Sequence, residues 1–480
     1  MGVSDLITLI GLVIAIITLI SERNRDFFLL KFTNSDYALL GSAFCLINYL
    51  VFFEYFWQIG IYFDSFMSES GLLPKDWAYV VTLLVVLFLI YKVFFALFPA
   101  ENKSKVIAYY NSLLFNEEHL NIITLYEKYH KADLLKHLSD NNVRSNNIIY
   151  ANNIYFEIIS RDDFIEKTAS LRPYFFNDIV ELFKERSFTN EEVISTYLKT
   201  LLRNKNQFLF REIKNNQNYG EGGFQYRLPS ENKILNSLLT DLDVIENNLV
   251  WKPFGECAIE ELKFEKQNGF LSLFNKAYDE KDILWSTVTF NSIWFFDIMV
   301  RKAIVEQKES HFWLHYYRYF VDLLIELIDI NEINEIDQEA EFPTNAHYII
   351  YEVISNTRDW IKYCNENNND VHSYEASKCL GGCVKAVCES EKLTQKFKSY
   401  ITEISIGLYF KSYYKRDQNR CNSFMVDSYI QPGLMDPTPE YKSAFLAAWG
   451  EFDKVPYQIQ GRRELLRSFE QNVINPLQIP

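Results

Sequence analysis

Three apolar segments crowd the first hundred residues, and they constrain this chain more than any other feature. The first runs from about Leu6 to Ile20 (LITLIGLVIAIITLI), the second from Tyr37 to Phe63, and the third from Trp77 to Phe98. A helix needs roughly 20 predominantly apolar residues to cross the hydrocarbon of a bilayer. The second and third segments meet that length. The first reaches it only by drawing in Val3 and the residues just after Ile20. No basic stretch precedes it and no small-residue cleavage site follows, so it does not read as a secretory signal. The expected arrangement is two or three transmembrane helices, at about 4–22, 37–63 and 77–98, forming a domain over residues 1–100. The alternative for the first is a buried or interfacial helix beside a two-helix hairpin.

Orientation follows from the basic residues in the short connections. The connection after the first segment carries Arg23, Arg25 and Lys31, the one between the second and third carries only Lys75, and Lys103 and Lys105 follow the third. The expectation is a multi-pass protein of the cell (inner) membrane, with its N-terminus outside and its large C-terminal part in the cytosol. Trp57 and Trp77 then fall at the same outer interface, as an aromatic belt requires.

Four polar residues inside these segments are the candidate site: Glu54, Gln58, Asn48 and Lys92. With the second helix centred near Leu50, Glu54 lies about 6 Å toward the outer face and Lys92 a similar distance toward the inner one. That offset of about 12 Å argues against a direct pair. Lys92 reads as a side chain reaching up to the inner headgroups. Glu54 and Gln58 share a polar face. An intramembrane carboxyl reads either as a protonated group hydrogen-bonded within a helix bundle or as the lining of an ion or proton path. Asn48 shares another face with Gly41 and Cys45, the small-residue pattern of a helix contact.

From Glu101 onward the hydrophobic pattern is helical, without convincing alternation. Thr189-Asn-Glu-Glu192 is a capping box opening a helix through Leu202. Thr438-Pro439 pairs an N-cap with proline at the first helical position. The stretch His311–Ile330 is amphipathic and unbroken. Turn signals fall at Asn215–Pro229, Phe342-Pro343, Asn365–Asp370 and Pro432–Pro439. Together these predict an all-α protein whose residues 101–480 form a cytosolic, array- or solenoid-like helical domain, with 215–230 as a place for a division. No fixed period supports a named repeat family. Ile283–Val300 is hydrophobic enough to question this topology. Asp297 within it would cost about 2.5–3.5 kcal/mol to insert at a helix centre, which favours a buried helix of the C-terminal domain.

The net charge of −15 argues against a nucleic-acid partner, because phosphate neutralisation needs clustered Lys and Arg. Seven scattered cysteines suit free thiols in a reducing compartment. Cys379, Cys383 and Cys388 lie on one predicted helix, where three thiols do not converge on a metal. His311 and His315 have the spacing of a helical metal pair but lack the general base between them. No metal or cofactor is therefore expected. The glycines of NNQNYGEGGFQYR lack the Lys-Ser/Thr of a phosphate loop and read as a connection. No nucleophile elbow or kinase signature is present, which weighs against an enzyme. The functional expectation is a membrane protein with a cytosolic helical binding or sensing domain and a protein partner or second copy. A stress or defence effector acting at the membrane would use such a layout. The rivals are a membrane-tethered enzyme and a scaffold subunit of a membrane complex.

Overall fold

The computed structural model describes the chain except residues 1–10, 12–26, 63–72, 140–145, 178–190, 217–218, 221–222, 225–229, 240, 279–280, 309–313, 329–336, 338–339, 368, 413–418, 459–461 and 480. Among the described residues the regular structure is helical, apart from an isolated antiparallel bridge between Ala277 and Thr344 and a short antiparallel hairpin that pairs β1 (Tyr219–Gly220) with β2 (Gly223–Phe224). Packing divides the chain into two compact units, Met1–Thr168 and Ala169–Pro480.

In the first unit, α1 (Asn34–Val51) and α2 (Phe53–Gln58) precede α3 (Pro74–Phe94). Then follow α4 (Lys103–Phe115), α5 (His119–Tyr129), α6 (Lys131–Ser139), α7 (Asn146–Ile154) and α8 (Asp162–Leu171), within which the division after Thr168 falls. Thr33 opens α1 with a capping box: its Oγ1 accepts from the Asp36 N–H at 3.2 Å, and the Asp36 carboxylate accepts from the Thr33 N–H at 2.7 Å. Pro74 occupies the first position of α3, where its missing N–H costs nothing.

The single helix expected over 37–63 is corrected. The helix ends at Val51, Phe52 leaves helical geometry, and the short α2 follows. Tyr49, Phe52, Phe53, Tyr55, Phe56 and Trp57 crowd this stretch with rings, which lose rotamer freedom against the preceding turn and propagate a helix poorly. Gly60 then stops it. At φ +78° it adopts the left-handed conformation, with Ile61 N–H bonded to Phe56 C=O at 3.0 Å and Gly60 N–H to Trp57 C=O at 3.1 Å.

The second unit contains α9 (Glu191–Arg203), α10 (Gln207–Asn215), α11 (Lys233–Leu239), α12 (Leu242–Asn247), α13 (Trp251–Gln267), α14 (Lys281–Leu284) and α15 (Val288–Glu306). Beyond them come α16 (Leu314–Leu327), α17 (Asn345–Glu366), α18 (Asp370–Glu389), α19 (Gln395–Ser412), α20 (Asn419–Ile430), α21 (Pro439–Glu451), α22 (Arg463–Phe469) and α23 (Asn475–Gln478). From α13 onward each long helix packs mainly on helices near it in sequence, such as α17 on α18, α18 on α20, and α19 on α21.

At the centre lies α15, the hydrophobic stretch around Asp297, buried along nearly its whole length. Its N-terminus is held by Glu261 of α13, whose carboxylate accepts from the Val288 and Thr289 N–H groups at 3.1 and 2.7 Å. That arrangement satisfies two of the donors every helix start leaves open. Asp297 is fully buried, and both its oxygens accept from Arg301 Nε, at 2.9 and 3.0 Å. Its Oδ1 also accepts from Trp360 Nε1 at 2.7 Å.

Thr438 caps α21, accepting from the Tyr441 N–H at 3.2 Å. Asn369 caps α18 from within the Asn-rich loop, accepting from the His372 N–H at 3.1 Å. Gly381 of α18 is required by packing. A Cβ there would stand 2.4 Å from the Ser428 carbonyl oxygen, so only glycine lets α20 approach so closely.

Candidate functional site

The α1–α3 hairpin holds all four residues that the sequence marks out. The two helices run antiparallel, and their buried contact is Ile47, Leu50 and Val51 against Ala78, flanked by Trp77, Val81 and Val85. Several of their large apolar side chains face outward, including Leu39, Phe44, Leu84 and Leu87. Among the described residues α3 is the one helix long and apolar enough to cross a membrane, and only 11% of its most apolar window is buried.

An ion pair closes each end of the hairpin. At one end Lys92, in the last turn of α3, holds Asp36, in the first turn of α1, at 2.6 Å, with both side chains about 15% exposed. Each charge complements the terminus it sits on, since a helix start favours an anion and a helix end favours a cation. At the other end Glu54 of α2 meets Lys75 of α3 at 3.0 Å, with side chains 78% and 44% exposed. Glu54 and Lys92 therefore each have a partner of their own. Lys92 is tied to Asp36 rather than extending alone, and Glu54 stands beyond the break at Phe52. Gln58 is exposed at the end of α2.

Between the two ion pairs the polar side chains turn back on their own helices. Asn48 Nδ2 donates to the Phe44 carbonyl at 2.8 Å, Ser42 to Ala38 at 2.9 Å, and Thr82 to Ala78 at 2.6 Å. Such bonds to the preceding turn satisfy each polar group within its own helix. The face shared by Gly41, Cys45 and Asn48 is not the contact with α3. Cys45 is exposed, and a Cβ at Gly41 would meet nothing within 4 Å. The branched residues Ile47 and Val51 make that contact instead.

Sequence reasoning missed the anchor beneath the hairpin. Lys31, counted there as a loop charge, is only 1% exposed. Its Nζ donates to the Val93 carbonyl at 2.9 Å, at the C-terminus of α3, and stands 5.0 Å from the Tyr129 ring and 5.4 Å from that of Phe28. A cation suits a helix C-terminus and an aromatic face. Burial, reinforced by the Lys128 charge, lowers its ammonium to about 8. Asn102 Nδ2 bonds the Leu30 and Phe32 carbonyls at 2.7 and 2.9 Å, and Tyr150 donates to the Pro99 carbonyl. The segment Phe27–Thr33 is thereby fastened to both the end of α3 and the start of α4. The signal in the sequence was the apolar setting FFLLKFT, in which a lone lysine is better placed for burial than for solvent.

In the second unit a cleft of about 490 Å³ opens between α17, α19 and the turn after α21. Arg358, Lys362, Tyr400, Glu403, Phe452 and Tyr457 line it, so both signs of charge are present. Arg358 is engaged by Asp359 and Ser355 at 3.1 and 3.0 Å. Burial, then the charge of Glu451, raises the Glu403 carboxyl.

The cysteines of α18 sit in its packing: Cys383 is buried against Cys379, and Cys388 Sγ lies 3.4 Å from Thr402 Oγ1. Among the described residues no three His, Cys, Asp or Glu side chains converge as metal ligands would. His311 and Thr189 lie outside the described residues. Comparison with family models, with curated proteins and with solved structures returned no match.

Proposed function

We propose that the α1–α3 hairpin crosses the membrane and anchors a cytosolic helical unit that recognises a ligand or protein. The observation that carries this reading is the pair of ion bridges. Lys75 and Lys92 are 17 residues apart on one helix, about 26 Å at 1.5 Å per residue, close to the roughly 30 Å hydrocarbon thickness of a bilayer. Charged residues stand at the two ends and outward-facing apolar ones between. Aromatic rings follow the same division, with Tyr55, Trp57 and Tyr79 exposed at one end and Tyr37, Tyr91 and Phe94 at the other. Rings at both headgroup levels are the usual companions of a span.

The Asp36–Lys92 end is the inner one, since Lys103 and Lys105 follow it. Recognition belongs to the helical unit, and its mixed-charge cleft is where a small polar ligand would sit. A stress or defence effector that reports to the membrane fits this layout, a reading that rests on architecture alone.

The test is a pair of topology reporters in the full chain, one inserted within residues 63–72 and one after Lys105. The expected result is an external signal from the first and a cytosolic signal from the second. Two signals on the same side would show that the hairpin does not cross.

A further inference from the structure

The hairpin packs tightly in only one half. Its buried contact joins Ile47–Val51 to Ala78, near the Glu54–Lys75 end. Toward the Asp36–Lys92 end an apolar groove of about 420 Å³ lies between the helices, lined by Leu39, Ser42, Ala43 and Leu46 of α1 and Val85 and Phe88 of α3. Small side chains at Ser42 and Ala43 allow another segment to come close, the usual means of association where lipid removes the hydrophobic drive.

We propose that the chain's own first hydrophobic segment, Leu6–Ile20, seats in this groove and completes a three-segment membrane unit. The proposal rests on the hairpin spanning the membrane. Its argument is where the chain must run. Phe27 is fully buried, with its ring 4.9 Å from Phe98 and 5.0 Å from Tyr129, so it is fixed at the foot of α3. Ile20 lies seven residues before it, a reach of about 25 Å at most. The groove begins at Leu39, one turn from Asp36, at that same end. A tether this short holds the segment at an effective concentration on the order of millimolar, an advantage that a second copy lacks. The segment carries no charge between Leu6 and Ile20, which suits a lining formed almost wholly by apolar side chains.

The test uses the full chain in native membranes, with Cys45→Ser, Ser42→Cys, an N-terminal tag and a protease site inserted between Asn24 and Arg25. Single cysteines are placed at each position from Leu6 to Ile20, oxidised, and the protein is cleaved. The expected result is a tag that stays attached for positions recurring every three or four residues. Gly11→Cys is expected to release it, because Gly11 is helical and exposed, with no atom within 4 Å of where its Cβ would stand. Ala43→Trp, which fills the groove, should abolish attachment while membrane extraction behaviour is unchanged. Release at every position, or a Ser42→Cys disulfide between two copies in place of the internal one, would overturn the proposal. Failure of the spanning reading shows separately, as two topology reporters on one side.

Discussion

α3, with 21 residues, and α15, with 19, are both long and strongly apolar, and they meet opposite fates. α3 leaves Leu83, Leu84, Leu87, Tyr91 and Phe94 uncovered, whereas sixteen residues of α15 are buried. Apolarity alone does not separate them. Their polar residues do. Those of α15 lean on the rest of the protein as well as on their own helix: Asp297, beside Arg301, accepts from Trp360 of α17, and the helix start is held by Glu261 of α13. Between its terminal lysines, α3 has Thr82, satisfied by its own helix through Ala78. A helix whose polar groups close locally can stand in lipid, and one whose polar groups reach outward must be enclosed by protein.

The largest effect is expected from removing the buried carboxylate of α15. Asp297→Ala takes away the buried carboxylate that Arg301 and Trp360 share and should cost about 3–5 kcal/mol in denaturant unfolding of the full chain in detergent. Leu87→Ala on α3, at a side chain 52% exposed, should stay within about 0.5 kcal/mol. Equal losses would end the distinction.

Lys31→Met comes next. It keeps the bulk among the rings but leaves the Val93 carbonyl unpaired, at a cost of about 1–3 kcal/mol. The midpoint of thermal unfolding should fall, while the two topology reporters should read as in the parent. An unchanged midpoint would mean that the anchor beneath the hairpin does not hold it.

Acid should separate the regions further. No histidine lies between Asn34 and Phe94, whereas burial lowers His130 to about 3 and both His347 and His372 to about 4. These rings stay neutral in the fold and gain a proton on unfolding below about pH 6.5, so stability is present above that pH and drains away as pH falls toward 4. Each contributes a slope of up to about 1.4 kcal/mol per pH unit. His347→Gln should reduce the measured slope by about that amount, and an unaltered slope would show that the ring is already charged in the fold.

The smallest effect is expected at Glu54→Gln. An exposed pair contributes about 0–1 kcal/mol, so expression, insertion and unfolding should match the parent. Membrane potential followed with a dye should also match at equal expression. A depolarisation present in the parent and lost in Glu54→Gln would give the carboxylate a conducting role and break the view of it as a clasp.

How much of this was legible in the sequence differs by feature. Thr438-Pro439 placed the start of α21, the helical pattern through Leu202 placed the body of α9, and the polar residues around Asp297 marked α15 as a helix to be buried. Each signal lies within one or two turns of what it determines. The pairings Asp36–Lys92 and Glu54–Lys75 join residues 56 and 21 positions apart, and no local pattern encodes them. The same holds for the groove lining and for the burial of Lys31 under Val93.

Sequence by itself therefore determined that this chain is helical, where α21 begins, and that its first hundred residues are unusually rich in apolar side chains. Tertiary structure alone decided that the second segment breaks at Phe52, that Ile47 rather than Gly41 meets α3, and that Glu54 is clasped by Lys75. The physical reason is range. Helix caps and hydrophobic periodicity are properties of neighbouring residues, whereas an ion pair or a packed face exists only once two distant stretches of backbone have been brought within a few ångströms of each other.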